Sequence, residues 1–212
     1  MDPVSVAVVT CVYGEDHARF LPAWIASVQA LNRPPDEIIV AADRDYDIPG
    51  VQVLASACTW QYPQAHYMQR AVLAAETDWV WIMGVDDTVM PDGLDGIEDV
   101  DADVWQLGYL RSDRVYYVPP QLAAATYLAS DGNCFVGASA VRADAFRRCG
   151  GFPDIALEDW GLWRRMARAG CSFESSDRAH FNYLLGPRTR GAIELGGDAR
   201  PGHVREMLAS ER

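Results

Sequence analysis

The chain has 212 residues, half of them hydrophobic, enough to bury one sizeable core and too few to favour two independent domains. Its 18 basic and 30 acidic side chains leave a formal net charge of -12, which opposes non-specific binding to nucleic-acid phosphates or anionic lipid. Five scattered cysteines without a C-x-x-C pair offer no start for a zinc site, and the lack of a basic N-terminal segment or a bilayer-length apolar run predicts a cytoplasmic protein without a membrane span.

Residues 4–10 (VSVAVVT) form a β-branched run suited to a first strand buried on both faces. Phe20, Leu21, Trp24, Ile25, Val28 and Leu31 then recur at helical spacing, and Pro34-Pro35 end the helix. A second strand at 37–42 (EIIVAA) completes a right-handed βαβ unit whose strand ends should line a ligand crevice. The pattern predicts a helix over 64–75 and a third strand over 79–85 (WVWIMGV), which stops abruptly at Asp86-Asp87. Beyond it, 104–110 and 115–118 read as strands, 143–149 as a short helix before Gly150-Gly151, and 158–169 as a helix before Gly170. Residues 186–212 are polar and rich in Gly and Arg, and read as a loop and tail.

Two carboxylates at the end of a buried strand are costly unless compensated, and a hard divalent cation is one compensation. Asp86 is therefore a candidate metal ligand, with Asp87 beside it; a plain turn cap before Pro91-Asp92-Gly93 is the ordinary alternative. Glu158 and Asp159 open a helix whose Trp160, Trp163, Met166 and Ala167 share an apolar face, so they either complement the helix dipole or present a carboxylate for proton transfer. Thr10, Tyr13 and Glu15 follow the first strand and Asp43 the second, where doubly wound sheets contact a nucleotide's base or ribose. The stretch TCVYGEDHARF carries neither a dinucleotide fingerprint nor a Walker loop, no G-x-S-x-G elbow is present, and His17, His66, His180 and His203 form no close metal-binding pair.

Read together, VAVVTCVYGE, FLPAWIASVQAL, EIIVAAD, AVLAAETDWVWIMGVDDTVMPDGL and ASAVRADAFRRCGGFPDIALEDWGLWRRMARAG resemble, in that order, the family 2 glycosyltransferases of the GT-A fold over residues 4–183. The resemblance implies an α/β fold with a Rossmann-like, doubly wound, mostly parallel sheet. It implies one domain over residues 1–212: a nucleotide-sugar-binding half (1–110), an α+β acceptor-side half (111–185) and a C-terminal loop and tail (186–212). It further implies inverting transfer of a sugar from a nucleotide-diphosphate sugar, such as a UDP- or GDP-sugar, to a hydroxyl of a glycan, protein or other acceptor.

In that scheme Thr10, Tyr13, Glu15 and Asp43 bind the nucleoside, Asp86 holds Mn2+ or Mg2+ against the diphosphate with Asp87 beside it, and His180 is a third ligand. Asp159 is the general base, Glu158 orients the acceptor and Trp160 walls its pocket. Gly84 stands where the family's D-x-D motif has its first aspartate, and Gln69-Arg70 replaces the family's asparagine, directing Arg70 toward the diphosphate; Arg188 and Arg190 would close over it from the tail. A fold that keeps the site but binds a nucleotide sugar or glycan without chemistry is the alternative that Gly84 raises, while a sugar-phosphate nucleotidyltransferase would show a Gly-rich loop with Arg and Lys after the first strand, which TCVYGEDHARF does not provide.

Overall fold

A computed structural model describes residues 3–184 except 113, 129–132 and 134. In chain order the elements are β1 (Val6–Val12), α1 (Gly14–Ala18), α2 (Leu21–Gln29), β2 (Glu37–Ala42), β3 (Gln52–Ala55), α3 (Pro63–Ala74), β4 (Trp79–Ile82) and β5 (Thr88–Val89), followed by β6 (Val104–Arg111), β7 (Tyr116–Tyr117), α4 (Ala124–Leu128), β8 (Ala140–Arg142), α5 (Ala143–Arg148), α6 (Glu158–Arg168) and β9 (Phe173–Tyr183).

The strands form one sheet in the order β3-β2-β1-β4-β8-β6-β9-β5, with β7 pairing on β6. β3, β2, β1 and β4 are mutually parallel, β8 runs antiparallel between β4 and β6, and β6 pairs in parallel with β9. Each apolar run expected to be a strand contains one, because a strand covered on both faces needs apolar side chains on both sides of the pleat, but β4 stops at Ile82, three residues short of the expected 79–85, and β7 holds only two residues of 115–118. All seven residues of β1 are buried, and they divide by alternation: Val6, Val8 and Val12 pack in one core cluster, Ala7, Val9 and Cys11 in the other.

One cluster joins the sheet to α3, α5 and α6, and the second joins it to α2 and the indoles of Trp24, Trp79, Trp81 and Trp105. The Nε1 atoms of buried Trp24, Trp79, Trp81 and Trp163 have no hydrogen-bond partner among the described residues. Burying about 200 Å² of ring at about 25 cal/mol per Å² gives roughly 5 kcal/mol, more than the roughly 1–3 kcal/mol cost of one unpaired N–H, so packing prevails.

Strands β3, β8 and β9 were not legible in the local pattern. β3 (QVLA) is short and largely uncovered, and β9 (FESSDRAHFNY) is polar along much of its length. β9 is held by its parallel pairing with β6, where the register shifts twice between Gln106 and Tyr109. Such bulges re-aim the side chains that follow them. Among the described residues no helix is long and apolar enough to cross a membrane.

Candidate active site

Chain crossing at the sheet centre gathers both acidic pairs at one cleft of about 320 Å³. β4 ends at Ile82, and the turn through Gly84 carries Asp86 and Asp87 to its rim, with the Asp87 N–H donating to the Gly84 carbonyl at 3.3 Å. Glu158 and Asp159, in the first turn of α6, line the same cleft from the other side. The remaining wall is apolar and aromatic, with Met68, Tyr109, Phe181 and Tyr183 among its members.

Asp159 is held in place by its surroundings. Its Oδ1 accepts the Trp160 N–H at 2.7 Å and its Oδ2 accepts Asn133 Nδ2 at 3.3 Å. Asn133 is itself oriented, because its Oδ1 accepts the Tyr127 hydroxyl at 3.0 Å and the Phe135 N–H at 3.3 Å, which turns the amide nitrogen toward the carboxylate. A Cβ on Gly137 would lie 3.2 Å from Asp159 Oδ2, so the glycine leaves the carboxylate room. Neither Asn133 nor Gly137 could be singled out in the sequence, since they lie in a segment without periodicity.

The Asp86-Asp87 turn is equally close. A Cβ on Gly84 would lie 2.9 Å from Asp86 Oδ1 and 3.2 Å from Asp87 Oδ2, so the two carboxylates occupy the space that an aspartate side chain at position 84 would need. Asp87 is buried and its Oδ1 accepts the Leu184 N–H at 3.0 Å, while Asp86 is partly exposed at the rim.

The ends of β1 and β2 form a neighbouring group outside the cleft lining. Asp43 Oδ2 accepts the Gly14 N–H at 2.8 Å, and Oδ1 receives Arg44 Nε at 3.2 Å. Burial opposes the charged form of Asp43, but the Gly14 N–H and Arg44 outweigh it and hold the carboxyl below its ordinary pKa. The exposed Glu15 pairs with Arg44 at 2.5 Å, and Tyr13 stacks on Tyr67 with ring centres 5.9 Å apart.

Four expectations are corrected by the structure. Thr10 is fully buried and its hydroxyl donates to the Met83 carbonyl at 2.9 Å, so it ties β1 to the chain after β4 and does not face a ligand. Trp160 is 5% exposed and packs in the core, because the helix turns it away from the cleft that Asp159 faces. Arg70 donates to the Ser56 hydroxyl beyond the end of β3 and does not line the cleft that holds the carboxylates. His180 is fully buried, with Nδ1 2.8 Å from the Gly93 carbonyl, Nε2 2.6 Å from Ser176 Oγ and the ring 4.6 Å from Trp105; with both nitrogens occupied it is no metal ligand. Arg188, Arg190 and His203 lie outside the described residues.

His180 instead affects stability. Burial, assisted by Arg178 and opposed by the Gly93 hydrogen bond, lowers its pKa to about 4 from an ordinary 6.5. The unfolded chain therefore binds this proton before the folded chain does. The neutral form's contribution is complete above about pH 6.5 and is lost as pH falls toward 4, by at most roughly 3 kcal/mol. Urea denaturation of the parent and His180→Gln between pH 7 and 4 should show the smaller pH slope in the variant; equal slopes would refute this assignment.

Among the described residues no group of three or more His, Cys, Asp or Glu converges to hold a metal. The rim nevertheless fits a cation of the magnesium type, which is commonly bound through one or two carboxylates and completed by substrate phosphates and water.

No family model matches the chain, and no curated protein matches its sequence. Solved structures do match it. TarS from S. aureus, as its segment 1-349, superposes with a TM-score of 0.67 at 15% identity, covering 97% of this chain and 69% of the segment; its complex with UDP-GlcNAc gives 0.67 and 15%, covering 97% and 71%. The mannosyltransferase PcManGT from Pyrobaculum calidifontis, in complex with GDP-Man and Mn2+, gives 0.68 at 17% identity, covering 98% of this chain and 64% of that one. Over nearly its whole described length, the chain has the GT-A fold of these glycosyltransferases.

Proposed function

We propose that the protein is a metal-assisted, inverting glycosyltransferase that moves a sugar from a nucleotide-diphosphate sugar to an acceptor hydroxyl. The observation that carries this reading is the convergence of Asp86 and Asp87 with Glu158 and Asp159 on one cleft, from separate elements of a GT-A fold. The similar structures that bind UDP-GlcNAc, or GDP-Man with Mn2+, support the donor class and the cation.

Tyr13 and Asp43, with Glu15 at the outer edge, receive the nucleoside at the ends of β1 and β2. Asp86 holds the cation at the cleft rim, and Asp87 fixes the turn through Leu184. A bound cation neutralises the charge that develops on the departing nucleoside diphosphate. Asp159, oriented by Asn133, takes the proton of the acceptor hydroxyl as its oxygen bonds to the anomeric carbon from the face opposite the leaving group. Glu158 helps to position the acceptor.

Donor binding tests the reading directly. In the presence of Mn2+, one of UDP-GlcNAc, UDP-glucose or GDP-mannose should stabilise the protein; at 100 times Kd the gain is about 2.7 kcal/mol, readable as a rise in Tm. Asp86→Ala should remove the Mn2+ dependence of that rise and lower donor turnover by about 100-fold or more. If no donor shifts Tm and none is hydrolysed, the proposal fails.

Gly84, together with the lack of a three-ligand metal group among the described residues, favours one competing reading, a binding protein without chemistry. It requires metal-independent donor binding and no turnover, so measurable transfer removes it.

A further inference from the structure

Resting on the transferase reading, we infer that the acceptor is an uncharged saccharide whose ring lies against Tyr183 and Tyr109, in the cleft that Asp159 and the Asp86-Asp87 turn share. Trp160 does not form the acceptor wall, and these tyrosines do. The register shifts between β6 and β9 set Tyr109 beside Phe181, and Tyr183, two residues further along β9, falls on the same strand face. The same slip buries His180 against Trp105.

Tyr109, Phe181 and Tyr183 form a contiguous aromatic surface, with the Tyr109 ring centre 5.4 Å from Phe181 and 5.1 Å from Tyr183. Tyr117 stacks on Tyr109 at 4.8 Å and backs it from outside the cleft lining. Tyr183 occupies a particular place: it lines the main cleft and also an adjoining cavity of about 170 Å³, and Asp86 and Asp87 line both. A group lying on Tyr183 is thus next to the proposed diphosphate site and shares the cleft with Asp159.

The chemistry of the cleft selects the class of acceptor. The electron-rich face of a tyrosine attracts the polarised C–H groups on a sugar ring's face, while the ring's hydroxyls point sideways to polar groups. Four carboxylates line the cleft and, among its described lining residues, there is no lysine, arginine or histidine. A phosphate- or carboxylate-bearing acceptor would meet like charge from these four carboxylates and from the negative donor, and no described lining side chain offers it a cation.

Transfer assays with Mn2+ and the donor that stabilises the protein test this, using maltose, N,N′-diacetylchitobiose and mannobiose against the 6-phosphates of the same disaccharides. Transfer to at least one neutral disaccharide, with its phosphate a poorer acceptor by about tenfold or more, is expected. Tyr183→Ala and Tyr109→Ala should each raise the acceptor KM about tenfold while the donor KM, read from donor hydrolysis, moves less than about twofold. Tyr183→Phe keeps the ring and should restore the acceptor KM to within about threefold of the parent. Donor hydrolysis without transfer to any neutral saccharide, equal use of the phosphates, or an acceptor KM insensitive to Tyr183→Ala would overturn the inference and leave the transferase reading standing. Absence of both donor binding and hydrolysis would overturn the transferase reading itself.

Discussion

Replacing Asp159 with asparagine should lower kcat for sugar transfer by about 10²- to 10⁴-fold, the usual contribution of a positioned general base, while donor binding persists. The substitution keeps nearly the same volume and can keep the hydrogen bond from the Trp160 N–H, so the helix start is little disturbed. It removes the proton acceptor. Asn133 offers a second, graded test, because it touches Asp159 Oδ2 and is held by the Tyr127 hydroxyl and the Phe135 N–H. Asn133→Ala should reduce kcat less than Asp159→Asn and should leave the donor-induced rise in Tm in place. Steady-state kinetics with the donor saturating separate the two effects. Should Asp159→Asn transfer sugar at the parent rate, another group must take the proton and the assignment of Asp159 is wrong.

Gly108→Ala should destabilise the fold by about 3 kcal/mol or more, which for a chain of this size lowers Tm by roughly 6–12 °C. A Cβ at this position would lie 2.3 Å from the Arg178 carbonyl oxygen and 2.8 Å from that of Tyr117, both backbone atoms of the strands that flank β6. Neither can swing aside as a side chain does, so β6 must separate from β9 or β7. Gly84→Ala provides the contrast. There the nearest atoms, 2.9 Å and 3.2 Å away, are side-chain carboxylate oxygens of Asp86 and Asp87 rather than backbone, so the loss of stability should be smaller than for Gly108→Ala while Mn2+-dependent turnover falls. Urea denaturation decides the matter: a loss below about 1 kcal/mol for Gly108→Ala would mean that the β6–β9 bulge yields easily. Because Tyr109 follows Gly108 directly, the same variant should also weaken the acceptor before it affects the donor.

Much of residues 1–110 was legible because the signals there are local. The β2 strand occurs where its apolar run predicts it, at Glu37–Ala42. The first strand begins two residues later than the pattern suggested, at Val6, and continues to Val12, since its ends are set by pairing with β2 and β4 rather than by composition. The helix expected from Phe20 starts at Leu21 behind the separate short turn of α1, and α3 and α6 match their apolar spacing to within a residue at each end. Residues 111–185 were less readable. β8 is three residues long and runs between β4 and β6, and the polar β9 takes its place only because β6 offers it backbone partners.

The amino-acid sequence by itself determined the α/β plan, the burial of β1, β2 and β4, and the presence of acidic pairs in the turn after β4 and at the start of α6, because all of these follow from hydrophobic period and from residues adjacent in the chain. Only the tertiary structure decided which of those residues meet. Asp86 and Asp87 share a cleft with Glu158 and Asp159 although more than sixty positions separate the pairs, and Thr10, Trp160 and His180 are turned into the interior. The physical reason is that a side chain's direction depends on pleat, helix phase and bulge, and a slip of one residue between strands exchanges cleft for core. Asp86 and Asp87 thus share their cleft with the acids of α6 and with an aromatic wall, beside them, that the register of β6 and β9 sets.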